Sequence, residues 1–248
     1  MTLTGKTVLI TGGARRVGAT ICRCFHQNGA NIMLHYRSSQ GEAHLLQSEL
    51  NQKRANSVTL IQADLLNVAT IPNLVQETLR CYGQLDVVIN NASSFFPTKI
   101  GEINEENWDD LIGSNLKAPL FLAQAAAPAL KKTHGCIINI TDIHAERPMK
   151  NYIVYSIAKA GLVGLTRTLA RELAPEIRVN GVAPGPILWP EDNFHFDDLS
   201  QQRIINHTLL KRVGTPDDIA ETVYFLVAHS PYITGQNIAV DGGRSVKL

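Results

Sequence analysis

The chain has 248 residues, 44% hydrophobic and 18% charged, an ordinary soluble composition at a length that can bury a sizeable core without staples. Its 23 Lys and Arg nearly balance 22 Asp and Glu, and the net charge of +1 gives no sign of a nucleic-acid or membrane partner. Cys22, Cys24, Cys81 and Cys136 form no CxxC pair and sit in apolar periodic runs, so buried thiols are expected rather than disulfides or a zinc site. The opening MTLTGKTVLITGG enters a strand at once, and no run reaches about 18 apolar residues, so a cytoplasmic protein is expected.

In chain order, the first expected strand is KTVLIT (6–11), followed by the turn TGGARRVG (11–18) and a helix over 16–28. Glycines in such a turn let the backbone approach a phosphate while the helix N-terminus offers free N–H groups. The spacing is T-G-x-x-x-R-x-G, with Arg16 where a dinucleotide loop often carries glycine. The second strand, NIMLHY (31–36), ends in His35, Arg37, Ser38 and Ser39. An acid there would bind the ribose 2′-hydroxyl of NAD; a cation with hydroxyl donors suits a 2′-phosphate, so NADPH is favoured, with Arg16 as a second cation.

A helix over 40–53 leads to the strand VTLIQA (58–63), which ends at Asp64, either an adenine contact or a helix-capping acid. After a helix over 68–82, LDVVIN (85–90) is the fourth strand, and NNASSF (90–95) follows with small residues that suit close packing against a cofactor. Phe95 and Phe96 come next, one as a stacking face for a flat ring and the other as loop packing. A helix over 105–132 precedes the strand CIINIT (136–141) and Asp142; a helix over 152–174 carries Tyr155 and Lys159, one turn apart on one face. The strand IRVNGVA (177–183), the irregular stretch PGPILWPEDNFHFDDLS (184–200) with Trp189, a helix over 216–229 and the strand NIAVDG (237–242) complete the chain. Thr215 is the expected N-cap of that last helix, with Pro216 at its first position.

Continuous apolar strands alternating with helices imply an α/β fold, a doubly wound parallel sheet of about seven strands with helices on both faces. No linker or repeat interrupts the alternation, so one domain over 1–248 is expected, with a substrate-covering loop at about 184–212.

TGGARRVG, NNAS, GSNLKAP around Asn115, YSIAK and VAPGP occur in this order across essentially the whole chain and resemble the short-chain dehydrogenase/reductases. Arg16 in the glycine turn, HYRSS, NNASSFFPT and Asp142 thirteen residues before Tyr155 resemble the pteridine reductases in particular, and 184–212 is similar to the dihydromonapterin reductases. The resemblance implies an NADPH-dependent reductase, commonly homotetrameric, with helices 105–132 and 152–174 long enough for an interface. It implies cofactor contacts from Thr11, Gly12, Arg16, Val17, Gly18, His35, Tyr36, Arg37, Ser38, Ser39, Asp64, Leu65, Asn91, Ala92, Ser93, Pro184 and Gly185. Asp142, Tyr155, Lys159 and Asn115 would be catalytic, Asn115 by holding a water chain. Ser93, Phe95, Asp142, Tyr155 and Trp189 would meet substrate. Ile187 departs from the protozoan pattern, which has serine there.

The chemistry follows. Lys159 should favour the Tyr155 phenolate and make it a better acid. Asp142 would repel the oxyanion of a ketone under reduction and stabilise positive charge on a protonated C=N nitrogen; if protonated itself, it becomes a donor. The expected activity is reduction of a dihydropterin, whether biopterin-like, dihydromonapterin or dihydrofolate. The alternatives are a ketoreductase of acyl-thioesters or small carbonyls, and an NADPH-sensing protein without catalysis.

Overall fold

The computed structural model describes residues 2–189 and 197–247. Seven strands, β1 (Thr7–Ile10), β2 (Asn31–Tyr36), β3 (Val58–Gln62), β4 (Val87–Asn90), β5 (Cys136–Ile140), β6 (Arg178–Pro184) and β7 (Asn237–Val240), form one sheet in the order β3-β2-β1-β4-β5-β6-β7. Every pair is parallel. The expected α/β class and strand count hold, and five of the seven strands are one or two residues shorter than the apolar runs that announce them.

The central strands β1, β4 and β5 are covered on both faces, successive side chains of each strand pointing to opposite sides. Val8, Ile10, Ile32 and Leu34 pack with α1 (Arg16–Gln27), α2 (Gln40–Lys53) and α8 (Pro216–Ala228). Leu9, Met33, Val88 and Ile137 pack on the other side with α3 (Ile71–Tyr82) and α5 (Ala118–Thr133). Helix α6 (Ile153–Glu172) lies beside β6 and α4 (Glu105–Ile112).

The expected cap of α8 is present: Thr215 Oγ1 accepts the Asp218 N–H at 3.3 Å, and Asp218 Oδ2 accepts the Thr215 N–H at 2.7 Å. The helix expected over 105–132 is broken in the middle by a π turn over Gly113–Lys117. Within the expected covering loop, residues 190–196 lie outside the described residues, and part of the remainder forms a helix, α7 (Asp198–His207), capped by Asp197. A last short helix, α9 (Arg244–Lys247), follows β7.

One polar chain crosses the otherwise apolar interior. Asn90 Nδ2 donates to Asn139 Oδ1, Asn139 Nδ2 to Thr166 Oγ1, and Thr166 Oγ1 to the Leu162 carbonyl, each at 2.8 Å. All three side chains are buried. Truncating the middle link strands a donor on Asn90 and an acceptor on Thr166, and a stranded buried group costs about 1–3 kcal/mol. Asn139→Ala should therefore lower the urea midpoint by an amount equivalent to at least about 2 kcal/mol without changing the slope of the transition.

Candidate active site

The carboxyl ends of the strands open into a cavity of about 870 Å³ at the place where the chain turns from β1 leftward to β2 and later resumes on the other side with β4. Of the expected site residues, all but Thr11 and Asn115 line it.

The glycine turn is shaped by close approach. Gly12 has φ +60°, and a Cβ there would meet Ala92 Cα at 3.0 Å. A Cβ on Gly18 would collide with the Gly12 carbonyl oxygen. The first turn of α1 carries no acid, so its N–H groups face the cavity with their partial charge unopposed by a carboxylate of that turn. Arg16 has φ +53°, the left-handed region that explains the usual glycine at this position. That conformation costs a non-glycine residue on the order of 1–3 kcal/mol. Its guanidinium Nη2 donates to the carbonyls of Leu188 (3.3 Å) and Trp189 (3.1 Å), tying the β6 loop to the turn.

Thr11 is a scaffold residue. Its buried hydroxyl accepts the N–H groups of Asn91 and Ala92 at 3.0 Å each, and Asn91 Nδ2 reaches back to the carbonyls of Thr11 and Gly12 at 2.9 Å each. His35 also works beneath the turn: Nδ1 accepts the Gly12 N–H at 3.2 Å, and Nε2 donates to the Ala63 carbonyl at 3.0 Å. This pair of bonds requires the neutral ring, and burial holds its pKa down at about 4.

At the end of β2, Arg37 is exposed and, among the described residues, pairs with no acid; Ser38 and Ser39 have uncommitted hydroxyls. Arg15, not singled out by the motif, stands at the same wall, 3.6 Å from Glu42. Asp64 lines the cavity while one oxygen accepts the Leu66 N–H at 3.0 Å; it caps no helix, the short turn over Val68–Thr70 being capped by Asn67.

The acid–base group lies at the ends of β5 and α6. Tyr155 Oη donates to Asp142 Oδ2 at 2.6 Å. The other carboxylate oxygen of Asp142 accepts the His144 N–H at 2.7 Å, capping a short turn over Ile143–Ala145. Lys159 Nζ donates to the Ile140 carbonyl at 2.9 Å and lies 5.7 Å from the centre of the Tyr155 ring. Tyr155 and Lys159 are both buried. The expected acidification of Tyr155 by Lys159 is reversed: burial, then the charge and hydrogen bond of Asp142, push Tyr155 well above its ordinary range. Burial brings Lys159 down to about 8, against the opposing pull of Asp142.

Asn115 sits in the π turn, buried, and does not reach the cavity. Its amide donates to the carbonyls of Ser94 and Leu111 at 3.0 Å each, and its oxygen accepts from Ser93 Oγ at 2.7 Å. Ser94 Oγ is bonded to Asp110 and its N–H to Ser114 Oγ, so α4 and the π turn clamp the loop that carries Phe95. Phe95 stacks on Tyr152 at 4.7 Å and meets Tyr155 edge-on at 4.9 Å. Phe96 packs among Leu111, Val154 and Met149, as expected of one of the pair. Trp189 lines the cavity through the same loop that Arg16 ties down. His144, Met149, Ile204 and Arg244 also line it; none carries a motif that distinguishes it from surface or loop positions in the sequence.

Four protein groups can thus meet a ligand: glycine-turn amides, the Arg37–Ser39 donors, the Asp142–Tyr155 pair, and an aromatic wall. A family model described as Enoyl-(Acyl carrier protein) reductase matches residues 12–245. The chain is 36% identical to pteridine reductase 1 of Leishmania tarentolae over 98% of its own length and 97% of that protein. It is also 36% identical to the 3-oxoacyl-[acyl-carrier-protein] reductase FabG of Staphylococcus epidermidis, over 96% and 98%, and 33% identical to FabG of Chlamydia muridarum, over 98% of each.

His35 gives a pH signature. An unfolded imidazole takes a proton near pH 6.5 and the folded one only near 4, so the unfolded state binds more protons in that window and stability falls as pH drops through it. Between pH 7 and 4, wild type should lose about 3 kcal/mol more unfolding free energy than His35→Gln, measured by urea titration at each pH.

Proposed function

We propose that this chain, which belongs to the short-chain dehydrogenase/reductase superfamily and is an oxidoreductase of it, is an NADPH-dependent pteridine reductase that converts a dihydropterin to the tetrahydro form. The observation that carries the reading is the 2.6 Å bond from Tyr155 to Asp142 at the cavity wall.

The glycine turn, Arg37, Ser38 and Ser39 fit the cofactor: a backbone too close for side chains, an anion-ready helix end, and three side-chain donors with no protein partner among the described residues. The bound cofactor supplies the hydride. Asn91, Ala92 and Ser93 line its site together with Pro184, Gly185 and Trp189. Lys159, anchored on Ile140, keeps a cation beneath the reacting end.

Phe95 offers one face to a flat ring, because Tyr152 covers the other. Tyr155 holds its proton on Oη, hydrogen-bonded to Asp142, and delivers it to the nitrogen of the C=N bond before or as hydride arrives at the carbon. As that nitrogen takes the proton it becomes positive, and the Asp142 carboxylate beside it stabilises the charge. For a ketone the same carboxylate would face a developing oxyanion. The equal identity to 3-oxoacyl-[acyl-carrier-protein] reductases supports the ketoreductase as the second reading.

A homotetramer belongs to the same proposal. Trp108 on α4, Leu120 on α5 and Ile157 on α6 are exposed apolar side chains on the helices expected to meet a second copy.

NADPH oxidation with dihydrobiopterin, dihydromonapterin, dihydrofolate and a β-ketoacyl thioester, run side by side, separates the two readings. Asp142→Ser should lower pterin turnover by about 100-fold or more while NADPH affinity stays within threefold; undiminished turnover would remove Asp142 from the mechanism. Arg37→Asp should shift the ratio of kcat/KM for NADPH over NADH downward by about tenfold or more, and an unmoved ratio would place the 2′-phosphate elsewhere.

A further inference from the structure

The cavity does not stop at the acid–base group. The sheet order puts the Arg37–Ser39 donors of β2 on one side of Asp142 and Tyr155, and the segment after β7 on the other. On that far side the wall is made by His144, Met149, Ile204 and Arg244. A cofactor with its phosphates on the glycine turn and its adenosine end by β2 leaves this side to whatever extends from the reacting ring.

Arg244 is the cation there. It is half-buried, at the start of α9, and Nη1 donates to the Ile204 carbonyl at 3.2 Å. That bond is its one protein partner among the described residues, so most of its five N–H donors are uncommitted. The nearby acid does not pair with it. Asp241 spends Oδ1 on the Gly243 N–H at 2.8 Å and Oδ2 on the Ser245 N–H at 2.7 Å. Burial holds the Arg244 guanidinium below its ordinary range, with the Asp241 charge opposing, yet an arginine stays charged at any working pH.

The acids nearest this wall, Asp142 and Asp241, have both carboxylate oxygens engaged elsewhere, and the other charged groups hydrogen-bonded around it are basic. Arg147 donates Nε to the Ser245 carbonyl at 3.4 Å, and Lys211 and Lys247 both donate to the Asn206 carbonyl, at 2.6 and 3.3 Å. The acids of α7, Asp197 and Asp198, are at its opposite end. A half-buried guanidinium with open donors and no ion pair among the described residues, its neighbouring acids committed elsewhere, is a receptor for a planar anion, which a carboxylate matches at two points.

We propose that Arg244 forms an anion subsite for the substrate's side chain, so that the site prefers a pterin with a carboxylate-bearing tail, of which dihydrofolate is an example, over one with a neutral tail. The proposal rests on the pterin reading above and names the substrate class within it.

The test compares dihydrofolate with dihydrobiopterin in wild type, Arg244→Met and Arg244→Lys. Arg244→Met should lower the ratio of kcat/KM for dihydrofolate over dihydrobiopterin at least tenfold, through KM for dihydrofolate, and Arg244→Lys should recover part of it. An unchanged ratio, or an equal loss on both substrates, overturns the subsite. A second arm uses 4-aminobenzoyl-glutamate, the acidic tail without the pterin, titrated calorimetrically into NADPH-loaded protein. Binding that weakens at least fivefold in Arg244→Met, with NADPH affinity retained, supports the subsite; absent or unaltered binding overturns it. Failure of wild type to reduce any pterin would sink the functional reading instead, and the second arm would still decide on Arg244.

Discussion

The reciprocal hydrogen bonding of Thr11 and Asn91 fixes the point on which the site depends. At the ends of β1 and β4 the chain diverges to opposite sides of the sheet, and two strand ends that part company expose backbone groups that need partners. The Thr11 hydroxyl takes two N–H groups from the β4 end, and the Asn91 amide takes two carbonyls from the β1 end. His35 adds a third strand by accepting the Gly12 N–H and donating to Ala63 beyond β3. Three loops are thereby set at fixed distances around one crevice, with their outward surfaces left for a ligand.

Within that crevice the electrostatic contest around Tyr155 is decided by distance and burial. Asp142 touches the phenol oxygen directly, whereas Lys159 is directed at the Ile140 carbonyl and stands below the ring. Desolvation disfavours a phenolate in any case, and the nearer carboxylate reinforces it. On the proposed reading, the Tyr–Lys pair would operate as a proton store with a cation beneath it. Its proton lies between two oxygens, and on that reading it would pass to an acceptor that becomes positive on protonation.

Most of the sheet was legible in the sequence because parallel strands covered on both faces must be continuously apolar, and Leu9, Met33 and Ile137 leave no other reading. The site motifs were legible as an ordered set. What the sequence could not convey is which members of that set face the ligand. Thr11, His35 and Asn115 carry polar groups at motif positions, yet their side chains brace the loops from below; a motif records spacing, and bracing and binding need the same spacing. The π turn at Gly113–Lys117 leaves the helical periodicity on either side intact, so it was invisible, although it is what directs Asn115 toward Ser93 and Ser94. Helix α7 follows a stretch rich in Pro and Asp and has no buried residue, so it lacked the apolar stripe that announces a helix. Arg244 lies 85 residues beyond Lys159 and reaches the cavity only through the return of β7.

The same scaffold is compatible with two chemistries, and identity averaged over the chain cannot separate them. A pteridine reductase and a 3-oxoacyl-[acyl-carrier-protein] reductase match it equally at 36%, over nearly its full length. Both activities would need the doubly wound sheet, a cradle for a dinucleotide and a buried tyrosine above a lysine, so residues serving those ends weigh equally for either. The distinction is carried by the sign of the charge that develops on the substrate atom nearest Tyr155. A carboxylate fixed at 2.6 Å from the phenol oxygen, and held there by the His144 amide, is unfavourable to a developing oxyanion and favourable to a developing iminium. On the proposed reading Asp142 discriminates between the two chemistries where the shared scaffold does not, because it would lie, with Tyr155, beside the atom whose charge changes.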